Sequence, residues 1–90
     1  MEPEFRWNAW NLEHATSHGV SVAEIESVVR RAKPPYPIQM ADEKHLVIGR
    51  GAGDRWIQVV FVEDVDRTVY VIHARPLTDR EKKRERRRTR

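Results

Sequence analysis

Trp-Ile-Gln-Val-Val-Phe-Val at residues 56–62, followed by Thr-Val-Tyr-Val-Ile-His-Ala-Arg at 68–75, decides the fold of this chain. Both runs are rich in β-branched and aromatic residues, which suit a pleated, half-buried surface. The first is almost continuously apolar and predicts a central strand covered on both faces. The second alternates, which puts Val69, Val71, His73 and Arg75 on one face and Tyr70 on the other, toward the core. Glu63 to Arg67 form the turn between the runs, and Pro76 ends the second.

Moving upstream, His45 to Arg50 predicts another strand, centred on Leu46, Val47 and Ile48. Gly51-Ala-Gly53-Asp54 serves as its hairpin loop. Tyr36 to Met40 reads as a short edge strand containing proline. Before it, Ser21-Val-Ala-Glu24 has the spacing of a capping box, each side chain satisfying an amide of the other. Val22, Ile25, Val28, Val29 and Ala32 follow at helical intervals, with Glu24, Glu26, Arg30 and Arg31 outside the stripe. Pro34, Pro35 and Pro37 end that helix.

Nearer the N-terminus, Asn8 is a cap for a short helix over residues 9–17, with Leu12 and Ala15 on one face. His18-Gly19 stops it, and Glu4 to Trp7 reads as a possible edge strand. At the other end, Thr78 caps a final helix that has Asp79 and Glu81 in its first turn. That helix lacks an apolar stripe, so only its beginning is expected to dock and the remainder to fray. The sum is an α+β domain over residues 1–90: two N-terminal helices on a small antiparallel sheet of three to four strands, with a basic C-terminal helix.

Charge is distributed unevenly. The whole chain has 17 basic and 14 acidic residues, net +3. Residues 80–90 hold eight Lys/Arg against two Glu, or +6, so residues 1–79 sum to −3. A cationic run this dense suits a polyanion, because it displaces counterions condensed on nucleic-acid phosphates. The absence of cysteine excludes disulfides, thiolate ligands and a cysteine nucleophile. A cytoplasmic setting is expected: no apolar run approaches the ~20 residues that span a bilayer, and the acidic start is unlike a signal peptide.

Several side chains are candidates for chemistry. His73, Arg75 and Arg50 stand at strand positions from which an imidazole could move protons while guanidinia neutralise charge on a phosphorane. RNA supplies its own 2′-hydroxyl nucleophile, so the scheme needs no cofactor and no metal. The competing reading pairs Arg50 and Arg75 with carboxylates such as Asp42 or Asp54. His14 and His18, four apart on the first helix, have the spacing of a zinc pair but no evident third ligand. Trp7 and Trp56 read as core anchors, and Trp10 as an exposed stacking or contact surface.

The series Trp7-x-x-x-Asn11-x-Glu13-His14-x-x-x-His18-Gly19-Val20, with the cap from Ser21 to Glu24, resembles the opening of BrnT-type proteins. Leu46-Val-Ile-Gly-Arg50, a glycine turn, Ala74-Arg75-Pro76 and Thr78-x-Arg80-Glu81 resemble the remainder of that family, so the likeness runs over roughly residues 5–88. The resemblance implies a RelE-like fold and the toxin of a type II toxin–antitoxin pair, a ribonuclease that inhibits translation. It further implies a cognate antitoxin as protein partner, and operator DNA bound only through the toxin–antitoxin complex. Arg50, Arg75 and Arg80 match basic residues expected to meet RNA phosphate, and His18 matches the histidine of the HGV motif. The commoner opening carries Lys before that histidine, where this chain has Ser17. Catalysis is thus expected of Arg50, Arg75, His73 and His18, and RNA binding of Arg80, Lys83, Arg84 and Arg87. A non-catalytic protein-binding module and a DNA-binding regulator are the alternatives, the latter weakened by the lack of a helix–turn–helix pattern.

Overall fold

The computed structural model describes residues 3–88. Its elements are α1 (Ala9–Thr16), α2 (Val22–Arg30), β1 (Ile38–Gln39), β2 (Lys44–Arg50), β3 (Trp56–Glu63), β4 (Val69–Pro76) and α3 (Asp79–Arg88). The four strands form one antiparallel sheet in the order β1-β2-β3-β4, a simple meander. The domain is α+β, as its sequence pattern predicts.

One face of the sheet carries the core. Val47, Ile57, Val59, Phe61, Val69, Val71 and Ala74 meet Ile25, Val28 and Val29 of α2 and Ala15 of α1. α2 lies against β2 and β3, and α1 against β4. Gly49 lets α2 approach closely, because a Cβ there would press on the Val28 side chain. In α1 the buried positions are Asn11 and Ala15, not the expected Leu12 and Ala15; Leu12 is exposed. Asn11 is buried because its amide is fully used: it closes a reciprocal cap with Asn8 and donates to the carbonyl of Arg6 at 3.1 Å.

β4 does not keep a single alternation. Phe61 pairs with Val71 and Val60 with His73, so Ile72 is an extra residue in a β-bulge. Before the bulge, Val69 and Val71 face the core; after it, Ala74 does. His73 and Arg75 therefore leave the face of Val69 and Val71 and join Tyr70 on the other side. This corrects the alternation inferred from sequence, which a one-residue insertion inverts. Tyr70, expected in the core, instead lies outside it, because Val69 and Val71 on either side of it take the core face.

The N-terminal stretch makes a single parallel bridge, Phe5 to Val69, instead of an edge strand. Arg6 N donates to Val69 O, and Val69 N donates to Glu4 O.

The cap of α2 is only half a box. Ser21 Oγ accepts from Glu24 N, but the Glu24 carboxylate turns away toward the β2–β3 loop. There it accepts from Ala52 N at 2.6 Å and from the Arg55 guanidinium at 3.0 and 3.3 Å. Glu24 is consequently buried, not on the polar side of its helix. Gly51 permits this, since a Cβ there would overlap the carboxylate. The Arg55 hydrogen bonds hold the Glu24 carboxyl below its ordinary range. Folding is stabilised by this shift above the unfolded carboxylate pKa, and the contribution is lost as pH falls through the depressed value.

Replacing Glu24 by Ala should cost about 2 kcal/mol, because a part-buried amide and a guanidinium lose their acceptor. Gly51→Ala should destabilise through the same contact. Urea titrations check both, and midpoints equal to wild type would show that this carboxylate does not bind the loop to α2.

Candidate nucleic-acid interface

The bulge at Ile72 turns His73 to the outer side of the sheet, where His18, two residues past the end of α1, meets it. Their rings lie 5.5 Å apart, centroid to centroid, edge to face. His18 is exposed just after the helix, ahead of Gly19, whose φ of +79° turns the chain away. His73 is half-buried beside it. Burial pushes the His73 pKa down, and the nearby His18 and Arg75 charges add to that shift. A neutral imidazole, able to accept a proton, is thus favoured at neutral pH.

Along the same side, α1 presents Trp10 and His14. Trp10 is half exposed and stacks on His14 at 3.9 Å; its ring plane is also nearly parallel to that of Tyr70, at 6.4 Å. His14 Nδ1 lies 2.7 Å from Trp10 O. His14 thus turns to tryptophan and His18 to His73, so the two do not form the metal pair their spacing allows. Among the described residues no group of three or more His, Asp or Glu side chains could hold a metal ion.

Arg75 stands two positions from His73 on that face, but its guanidinium is engaged. It donates to both oxygens of Glu81, each at 2.8 Å, and to Gln58 Oε1 and Pro76 O. The pair holds the Glu81 carboxyl down at about 2, against an ordinary value of 4.5. Arg50 also faces this side, two strands away on β2. Its guanidinium donates to Asp54 Oδ2 at 2.9 Å and lies over the Trp56 ring at 4.2 Å. The Arg50–Asp54 pairing is among those weighed from sequence. Arg75 instead pairs with Glu81, not with Asp42 or Asp54. Trp56 is not a core anchor, since the register places it beside Arg50 on the outer side of the sheet. Trp7 does pack against the core, with Nε1 donating to Glu26 at 2.8 Å.

α3 docks by carboxylates instead of an apolar stripe. Glu81 closes a cap with Thr78 in both directions and grips Arg75. One turn on, the buried Glu85 accepts from the Tyr36 hydroxyl at 2.8 and 2.7 Å. The helix is therefore tied to β4 at one place and to the segment before β1 at another. This corrects the expectation that only its start would dock. The Thr78-x-x-Glu81 spacing is a capping-box signal present in the sequence, and it marks Glu81 as a structural residue.

Anchoring one side of α3 leaves another free. Arg80, Lys83, Arg84 and Arg87 recur at i, i+3, i+4 and i+7, all exposed, and none has an ion-pair partner among the described residues. They form one cationic stripe. Among the sequence-predicted site residues, the fold thus unites His18 with His73, lines up the four helix cations, and holds Arg50 and Arg75 against carboxylates.

Comparison of the chain with models of protein families, with curated proteins and with solved structures returns no match. No helix among the described residues is long and apolar enough to cross a membrane.

The ring of His73 should titrate below the ordinary histidine value, and His18→Ala should raise it by removing one of the neighbouring charges. Proton NMR titration of the imidazole signals checks this; an unshifted value unaffected by the substitution would separate the two rings. Glu81→Gln should cost roughly 1 kcal/mol after allowance for partial exposure, lowering Tm by about 4–8 °C in a domain of this size. The wild-type advantage should be full above about pH 4.5 and fade as pH falls toward about 2, because the folded carboxyl pKa is the lower one. Melting curves across that range measure it.

Proposed function

We propose that this chain is a metal-independent endoribonuclease, the toxin of a type II toxin–antitoxin pair of the BrnT type. The observation that carries the reading is the meeting of His18 and His73, brought to 5.5 Å from opposite ends of the sequence. Two imidazoles side by side, one kept neutral by burial, are suited to phosphodiester cleavage by the substrate's own 2′-hydroxyl. His73 takes the proton of the attacking 2′-oxygen. That oxygen bonds to phosphorus, the P–O5′ bond breaks, and His18 donates a proton to the departing 5′-oxygen. The products are a 2′,3′-cyclic phosphate and a free 5′-hydroxyl.

The cations of α3 supply backbone affinity. Four unpaired charges along one stripe match a phosphate chain, and Trp10 adds an aromatic surface of the kind on which single-stranded bases stack. Within this reading the cognate antitoxin is the protein partner, and operator DNA is reached only through their complex. The setting is cytoplasmic.

A second reading, a binding module without catalysis, draws on the engagement of Arg50 and Arg75 by Asp54 and Glu81. Neither guanidinium is then at hand for a phosphorane unless its carboxylate yields. Arg75 is a poor test position, because removing it also releases Glu81 and α3.

Expression without a partner should arrest bacterial growth, and His73→Ala should relieve the arrest while leaving the melting temperature near wild type. Purified protein should cleave single-stranded RNA in the presence of a chelator and leave cyclic phosphate ends. Intact RNA, or cleavage that His73→Ala and His18→Ala both retain, would favour the binding module. Neutralising Arg80, Lys83, Arg84 and Arg87 together should weaken RNA binding at least about tenfold and flatten its salt dependence.

A further inference from the structure

A cavity of about 230 Å³ opens between the end of α2, the proline segment, β2, β3 and α3. It belongs neither to the histidine pair nor to the α3 stripe. Its apolar lining includes Ala32, Pro34, Pro35, Ile48 and Trp56. Arg31, Lys33 and Arg50 also line it. Arg50 is stacked on Trp56 and paired with Asp54, whereas Arg31 and Lys33 are exposed and have no ion-pair partner among the described residues. Also in the lining are Tyr36 and Glu85, both buried, with the tyrosine hydroxyl donating to the carboxylate.

We propose that this cavity is a nucleotide subsite, receiving one base of single-stranded RNA with its phosphate against Arg31 and Lys33. The inference rests on the RNA-directed reading above and adds a specificity pocket to it. Size bounds the occupant first: the volume lies below the roughly 300 Å³ at which sites for drug-sized ligands begin, yet exceeds the ~30 Å³ share of a single water several times over. Charge then divides the occupant in two. Unpaired cations attract an anionic group to the exposed part. In the buried part the lining is apolar apart from the Tyr36–Glu85 pair, so an uncharged group is favoured there. The inserted portion must therefore be uncharged and largely apolar, while the attached portion is anionic. A nucleotide has that pattern. An acidic peptide would place its carboxylates against Glu85.

The position agrees with an RNA strand crossing the outer side of the sheet. Trp56 lies four residues along β3 from Val60, the register partner of His73. At a strand rise of about 3.3 Å, this sets the cavity roughly 13 Å along the sheet from the histidine pair. A strand cleaved at His18 and His73 would enter the cavity with a base a few nucleotides from the scissile bond. Which base is admitted would then govern where cleavage falls.

The test is a titration of the full-length, ¹⁵N-labelled chain with each of the four nucleoside 5′-monophosphates, and separately with inorganic phosphate and a short acidic peptide. The expected result is saturable shifts at the Ala32 and Gly49 amides and the Trp56 indole N–H, stronger for one or two bases than for the others. Inorganic phosphate should leave these signals in place at equal concentration. Arg31→Glu combined with Lys33→Glu should weaken nucleotide binding about fivefold or more, and Ala32→Phe, which fills the cavity, should abolish it with the chain still folded. Equal shifts from phosphate or from the peptide, shifts confined to other surfaces, or no saturable shift from any nucleotide would overturn the proposal. Nucleotide binding by a chain that leaves RNA intact would keep the subsite and remove the ribonuclease. Cleavage whose site preference survives Ala32→Phe would do the reverse.

Discussion

One extra residue in β4 governs what each side of the sheet can offer. Ile72 interrupts the pairing between Phe61–Val71 and Val60–His73, and the parity of the strand inverts there. The first part of β4 gives Val69 and Val71 to the core. Beyond the bulge, Ala74 takes over that role, and His73 and Arg75 emerge on the outer side. Without the inversion both polar residues would point into the apolar layer between β4 and α1, where an imidazole and a guanidinium are costly to bury. The bulge thus reconciles a closed core with a polar outer surface in a single strand.

The acidic residues of this basic protein act inward. Glu24 ties α2 to the β2–β3 loop through Ala52 and Arg55, Glu81 ties α3 to β4 through Arg75, and Glu85 ties α3 to Tyr36. A helix with no apolar stripe can dock in this way if its few carboxylates lie on one side and find buried donors. The consequence for α3 is segregation: carboxylates are consumed by the fold, and Arg80, Lys83, Arg84 and Arg87 keep their charge for solvent. A net charge of +3 understates how cationic the exposed part of that helix is.

Local patterns made the elements legible. Asn8 and Ser21 mark helix starts, the β-branched runs mark β2, β3 and β4, and the prolines after Lys33 mark the end of α2. Register was not legible, because a bulge is a relation between two strands and leaves no mark in the alternation of either. The pairing of His18 with His73 was hidden for the same reason, since it depends on the parity after Ile72. Glu24 was misplaced because the box spacing is real, yet the carboxylate finds stronger donors in a loop 28 residues away. Trp56 was assigned to the core on hydrophobicity alone, although the register sends it outward beside Arg50. By contrast the exposure of Trp10 follows from its polar neighbours, and the Arg50–Asp54 pair follows from their spacing across the glycine turn.

The bridge between Phe5 and Val69 bears on how the molecule behaves in crowded solution. An open sheet has two lateral borders, and unpaired amides along them can template strands from other molecules. Here Glu4 and Arg6 occupy backbone groups of Val69, α1 packs beside the rest of β4, and the opposite border is a two-residue strand preceded by proline. On that border β1 pairs only with His45 and Leu46, so the blunted margin is the one along β4. Along β4 the occupied backbone groups of Val69 and the like charges of a highly charged domain together oppose addition of a foreign strand.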